Sequence, residues 1–286
     1  MSRILVTGST GLLGVRVVEL GAALGHEMRA VGRSASRAAQ GNVHSIAMDL
    51  SQPLDRSALP PRVDAVLHLA QSRRFREFPE GAKDVFAVNV ARTAELLDYA
   101  HSAGASHFVQ ASTGGVYAPS ATPLTEDSPL ATEPAFYPAS KLAAELLAHP
   151  YAGLMTVAIL RFFFIYGPGQ ASDMLMPRLV STVREGRAIR LQGTDGLSFN
   201  PIHVDDAAAA TLAAVSLKDS ATINVAGPVS VTLREIGEII GAGLDKQPRF
   251  ELENETSPPL VADTALMRRL LVEPSVTPQA GIGDML

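Results

Sequence analysis

Apolar residues fall along this chain in two alternating rhythms. Short apolar-rich runs, Ile4-Leu5-Val6, Met28 to Val31, Val43 to Met48, Ala65 to Leu69, Phe108 to Ala111 and Thr156 to Phe164, have the length of strands in a buried sheet. Between them, Gly11 to Leu24, Val85 to Ala100 and Ser140 to Leu147 space their apolar residues by three and four, as helices packed on a sheet do. This is the strand-helix-strand rhythm of an α/β fold, a doubly wound parallel sheet. After Tyr166-Gly167-Pro168-Gly169 the pattern loosens into a helix over Met174 to Glu185, a strand near Ile189 to Leu191, and helices over Val204 to Val215, Thr232 to Gly241 and Thr264 to Leu271. Two interleaved lobes are expected: residues 1–165 with 200–227 as the sheet domain, and 166–199 with 228–286 as a smaller mixed C-terminal lobe.

Composition narrows what these lobes do. At 286 residues the chain buries a sizeable core without staples, and it has no cysteine, which excludes disulfides, thiolate catalysis and cysteine metal sites. Twenty-four basic against 29 acidic residues leave a net charge of -5, which argues against a nucleic-acid partner. Met1-Ser2-Arg3 runs straight into the first apolar run, with no secretory leader pattern, and no apolar run approaches the roughly 20 residues of a membrane span. The expectation is a cytoplasmic protein with no membrane partner. The histidines show no ligand spacing, so no metal is assigned.

Thr7-Gly8-Ser9-Thr10-Gly11-Leu12-Leu13-Gly14 joins the first strand to the first helix. Glycines at such a turn give tight reversal, close backbone approach to a diphosphate and close helix-strand contact, while the helix N-terminus offers N–H groups to the anion. Gly8, Thr10, Gly11, Leu12, Leu13 and Gly14 are therefore candidate contacts to a dinucleotide on a Rossmann fold, which leaves the smaller lobe for substrate. The second strand ends Val31-Gly32-Arg33 with no acid, and Arg37 follows one turn on. An arginine there suits the extra phosphate of NADP, so NADP is expected with NAD as the alternative.

The GxxGxxG turn, followed in order by Asp64 to Ala70, Asn89, Thr113 to Tyr117, Tyr137-Pro138-Ala139-Ser140-Lys141, Arg161 to Gly169 and Val204-Asp205-Asp206, resembles the short-chain dehydrogenase/reductase superfamily. The likeness is to its extended branch of sugar epimerases, dehydratases and reductases. It implies that Asp49 and Leu50 meet the adenine, that Leu69, Ala70, Asn89 and Phe163 line the cofactor, and that Lys141 bonds the nicotinamide ribose. Asp49 also reads as a plain turn residue.

Lys141 lies four residues after Tyr137, so on a helix both share one face and a nearby ammonium favours the phenolate. Carbonyl reduction needs a proton donor, expected in Tyr137, and a second hydrogen bond to the oxygen, expected from Thr113, with Ser112 as the competing hydroxyl. Thr113-Gly114-Gly115 lacks the Asp-Glu pair that sugar-nucleotide dehydratases of the branch carry. Phe164 stands where nucleotide-sugar enzymes of the branch have Asn, and Leu197 to Pro201 lacks their arginine, which favours a small or less polar carbonyl or sugar-like substrate. Arg73-Arg74-Phe75-Arg76 reads as a solvated basic loop or as a receiver of a carboxylate or phosphate. The leading expectation is an NADP(H)-dependent reductase or dehydrogenase. An epimerase retaining NAD is the alternative, and a non-catalytic dinucleotide sensor the third. The resemblance also implies a homodimer through the helices of Val85 to Ala100 and Tyr137 to Leu147.

Overall fold

The computed structural model describes residues 1–34 and 41–286; Arg37 lies outside the described residues. In chain order the elements are β1 Arg3–Thr7, α1 Leu12–Ala23, β2 Glu27–Gly32, β3 Val43–Ala47, β4 Ala65–His68, α2 Ala82–Phe86, α3 Arg92–Ser102, β5 His107–Thr113, α4 Phe136–Ala148 and β6 Thr156–Phe162. They continue with β7 Ile165–Tyr166, α5 Leu175–Arg184, β8 Ala188–Gln192, β9 Ser198–Phe199, β10 Ile202–His203 and α6 Val204–Ala213. The last are β11 Ala221–Val225, β12 Val231–Thr232, α7 Leu233–Leu244, β13 Arg249–Glu253, α8 Ala265–Leu270 and α9 Pro278–Gly283.

Among the described residues a seven-stranded sheet runs β11-β6-β5-β4-β1-β2-β3. The pairs from β3 across to β5 are all parallel. The sheet is the doubly wound α/β fold the rhythm implied. Strand order reverses between β1 and β4, and loops leaving the carboxyl ends of those two strands border the crevice where such sheets bind ligands. Helices on both faces explain why Ile4, Leu5, Val6, Val66 and Leu67 are wholly buried and why the strands read as apolar runs instead of alternating.

Contacts divide the chain into two compact units, Met1–Val116, Leu130–Arg161 and Ala208–Ile223 in the first, and Tyr117–Pro129, Phe162–Ala207 and Asn224–Leu286 in the second. The second unit has its own core of Tyr166, Met176, Leu179, Leu191, Phe199, Ile236 and Ile240. Its β8 pairs in parallel with β13, a strand the sequence pattern did not announce. A capping box, with Thr232 and Glu235 each bonded to the other's backbone, starts α7 there.

The single helix expected over Val85 to Ala100 is interrupted. Ala87–Ala91 forms a π-turn between α2 and α3. The Thr93 hydroxyl donates to the Asn89 carbonyl at 2.7 Å within this widened stretch. Apolar spacing is regular on either side, so periodicity alone does not reveal it. Such bulges concentrate at functional sites.

Candidate active site

The turn after β1 is built for close approach. Gly8 has φ +71°, and a Cβ there would sit 2.8 Å from the backbone N and Cα of Ala70, at the exit of β4. A Cβ on Gly14 would overlap the Gly8 carbonyl. Gly11 enters α1 in an extended conformation with no side chain capping the helix, so its first-turn N–H groups carry the partial positive charge that receives an anion. The Ser9 hydroxyl donates to the Val31 carbonyl at 2.9 Å, tying the turn to the end of β2. Thr10 lies against Gly32, where an added Cβ would meet its methyl at 3.0 Å. These features fit a dinucleotide diphosphate, with Leu12 and Leu13 in the first turn of α1.

Arg33 is exposed beyond β2. Asp49, just after β3, accepts from the Ser51 N–H at 3.0 Å in a local turn. That bond is the main cause holding its carboxyl below the usual range, and the charge of Arg33 adds to it. Leu50 beside it is buried in the core of the first unit.

Beneath the turn lies a buried polar row. His68, the last residue of β4, bonds the Thr7 hydroxyl through Nδ1 at 2.7 Å and the Thr93 hydroxyl through Nε2 at 3.1 Å. Burial lowers its pKa to about 3, with the charge of Lys141 adding, so it is a neutral structural link. Asn89, buried in the π-turn, accepts from the Ser72 N–H at 3.0 Å and donates to the Ser140 hydroxyl at 2.9 Å. Ser140 in turn donates to the Tyr137 carbonyl at 2.7 Å. One amide thus joins the loop after β4, where Leu69 and Ala70 lie, to the first turn of α4.

Tyr137 and Lys141 sit one turn apart on α4. The Tyr137 hydroxyl donates to Gln71 Oε1 at 2.9 Å, and its ring lies 5.1 Å from that of Phe75. Burial pushes the phenol above its ordinary value. Lys141 is 2% exposed and donates through Nζ to the Ala111 carbonyl at 3.1 Å. Desolvation brings its pKa down to about 8, partly offset by Glu145. Burial, then, and not the lysine charge, dominates the tyrosine's own pKa in this geometry, which differs from the simple pairing read from the spacing.

Thr113 ends β5, and its Oγ1 accepts from the Gly115 N–H at 3.1 Å, leaving its own proton to donate. A methyl group at Gly115 would make ordinary contact with both the Thr113 hydroxyl and Pro138 at 3.5 Å, which puts this hydroxyl near the start of α4. The competing Ser112 points elsewhere: it is buried and donates to Glu145, which also forms a salt bridge with Arg161 at 2.7 Å. Sequence reasoning did not single out Gln71 or Glu145, and it named Phe75 only as part of the basic loop. The last two look like ordinary helix and loop residues until the fold brings them to Arg161 and Tyr137.

In the second unit Phe163 is 1% exposed, its ring 6.3 Å from that of Tyr117, and its N–H donates to the Val225 carbonyl at 3.0 Å. Phe164 has φ +47°, a left-handed conformation in which a bulky side chain is strained and Asn is at ease. Its ring packs on Phe199 at 4.8 Å. Of the basic loop, Arg74 pairs with Glu77 at 2.6 Å and the Arg76 guanidinium lies 4.8 Å from the Phe75 ring centre. Among the described residues no three His, Asp or Glu side chains are arranged to hold a metal, and no helix is long and apolar enough to cross a membrane.

The seven-stranded sheet, the glycine turn between β1 and α1, and a Thr, a Tyr and a Lys on β5 and α4 are features of the extended short-chain dehydrogenase/reductase class. The chain belongs to the NAD dependent epimerase/dehydratase family, whose sequence pattern matches residues 4–226. It is similar to a UDP-glucuronate 4-epimerase of Thermodesulfobacterium geofontis, 29% identical over 195 residues that cover 67% of this chain and 60% of that protein. It also resembles a 3-diazoavenalumate denitrifying reductase of a Streptomyces species, 32% identical over 233 residues covering 78% of this chain and 75% of the relative. Among solved structures, MoeE5 in complex with UDP-glucuronic acid and NAD superposes with a TM-score of 0.84 at 26% identity, over 98% of this chain and 96% of that one. The chain thus spans less than two thirds of the length of the first of these relatives.

Proposed function

We propose that the protein is an NAD-dependent epimerase acting on a sugar or nucleotide-sugar hydroxyl carbon. The first unit holds the dinucleotide, and the second serves substrate. The observation that carries this reading is the near-complete superposition on MoeE5 bound to UDP-glucuronic acid and NAD, and it moves the balance from the reductase expectation to its epimerase alternative. The glycine turn and the α1 N-terminus bind the diphosphate, with Asp49, Leu50, Leu69, Ala70 and Asn89 around the rest of the cofactor. The nicotinamide, when bound, supplies the hydride acceptor and donor.

Tyr137 moves the proton at the substrate oxygen, and Thr113 gives that oxygen a second hydrogen bond. Lys141 fixes the ribose side of the site. Solved structures of similar fold that carry NAD support NAD over NADP. Exposed Phe86, Leu146 and Leu147 on α2 and α4 support a homodimer through these helices.

The test is to assay the purified protein for retained NAD and then incubate it with UDP-glucuronic acid and UDP-glucose, following epimers by NMR. Retained NAD with interconversion and no net nicotinamide reduction is the expected result. The second reading, an NADP(H) reductase of a small carbonyl compound, is favoured by exposed Arg33 and by Phe164. Cofactor-free protein that oxidises NADPH with a carbonyl compound would establish it instead.

A further inference from the structure

The hydroxyl of Tyr137 has a partner that the family pattern does not assign. Gln71 stands three residues beyond the end of β4, and its Oε1 accepts the tyrosine proton at 2.9 Å. The side chain is exposed, but its backbone is fixed on both sides. Ala70 before it lies so close to Gly8 that no Cβ fits between them. Ser72 after it is buried; its N–H donates to Asn89 at 3.0 Å, its hydroxyl donates to Asp84, and it accepts from the Arg74 N–H at 3.0 Å. The Phe75 ring then closes over Tyr137. The fixed backbone keeps Gln71 within reach of α4, and the hydrogen bond between the two side chains aims its amide at the Tyr137 oxygen.

We propose that Gln71 is the positioning residue of the acid-base tyrosine: its side-chain amide holds the phenol through its oxygen and, after half a turn, the phenolate through its nitrogen. The terminal torsion of glutamine is broad and close to two-fold, so the exchange needs no change in the rest of the side chain. The amide keeps the oxygen on one line through both halves of a proton transfer, which a carboxylate or an apolar residue does not. The inference rests on Tyr137 being the acid-base of the proposed reaction.

Because a hydrogen bond to a charged oxygen is about twice as strong as one to a neutral group, the amide favours the phenolate on balance. Charged side chains on the elements that carry this contact are Arg76 against the Phe75 ring, Asp84 bonded to Ser72, and Lys141 and Glu145 further along α4, and none of them outweighs burial at the phenol. None of them is changed in the variants below, so their contribution is common to all.

The experiment uses NAD-loaded protein labelled with carbon-13 at the tyrosine ζ position. Of the five tyrosines, Tyr137 is assigned by its loss in Tyr137→Phe, and its resonance is followed against pH. Gln71→Ala is expected to displace that resonance at neutral pH and to raise its titration midpoint by about one unit. Gln71→Glu keeps the length and the acceptor but loses the donor, and is expected to raise the midpoint further. A resonance and midpoint unchanged in Gln71→Ala, or a midpoint that falls, would overturn the proposal. No sugar is present, so the two readings fail separately. Gln71-dependent titration in a protein that epimerises nothing defeats the proposed function alone, and normal epimerisation without that dependence defeats this inference alone.

Discussion

Replacing Lys141 with methionine is expected to stabilise the protein while abolishing its activity. Burial lowers the Lys141 ammonium from 10.5 to about 8. At pH 7 the folded chain therefore holds a charge it would rather lose, at a cost of about 3 kcal/mol. Methionine fills nearly the same volume without that charge and gives up the hydrogen bond to the Ala111 carbonyl, worth about 1 kcal/mol. The net gain is about 2 kcal/mol, or a rise in Tm of roughly 4–8 °C for a domain of this size. The sign with pH follows from the direction of the shift. The folded form binds its proton more weakly than the unfolded form, so the parent gains stability as pH climbs from 8 towards 10.5. The methionine advantage is greatest below pH 8 and shrinks to a small deficit near 10.5. Thermal denaturation of both proteins between pH 6.5 and 10, with and without added NAD, measures it. A variant less stable than the parent at pH 7, or one whose advantage is the same at pH 10, would refute the reasoning.

Glu145→Ala leaves the Arg161 guanidinium buried without its carboxylate and is expected to cost about 3–5 kcal/mol in denaturant unfolding. Gly8→Ala forces a Cβ into the Ala70 backbone at positive φ; NAD affinity by nicotinamide fluorescence should fall at least tenfold, with stability lowered by about 1–2 kcal/mol. Thr113→Val removes the hydroxyl proposed to hold the reacting oxygen and should lower kcat by about 10²–10³, with cofactor binding unchanged. Leu146→Glu places a charge on the exposed face of α4, and sedimentation is expected to show a dimer for the parent and a monomer for the variant.

The central sheet was legible because strands buried on both faces leave continuous apolar runs, and Ile4 to Val6 or Val66 and Leu67 have no exposed side to confuse the pattern. The placement of Tyr137 and Lys141 one turn apart on a helix, and of Thr113 at a strand end, was legible because the spacing of the motif marks those elements. The π-turn was not, since one added residue leaves the periodicity of Val85 to Ala100 nearly intact. Nor was β11, a five-residue edge strand whose place beside β6 is decided by tertiary pairing. Gln71 escaped notice because its partner lies 66 residues away, and nothing local in a loop glutamine marks it.

The widened turn at Ala87–Ala91 also acts as a phase shifter. An α-helix rotates about 100° per residue, so one surplus residue turns everything before it by roughly that angle relative to everything after it. Upstream, that rotation carries Phe86 out to solvent; downstream, Leu96 and Leu97 point wholly into the core. Deleting a residue there would straighten the rod, withdraw Asn89 from Ser72 and Ser140, and swing the outward aromatic to a new bearing. The bearing of that outer aromatic and the anchoring of Asn89 thus hang on the same surplus residue.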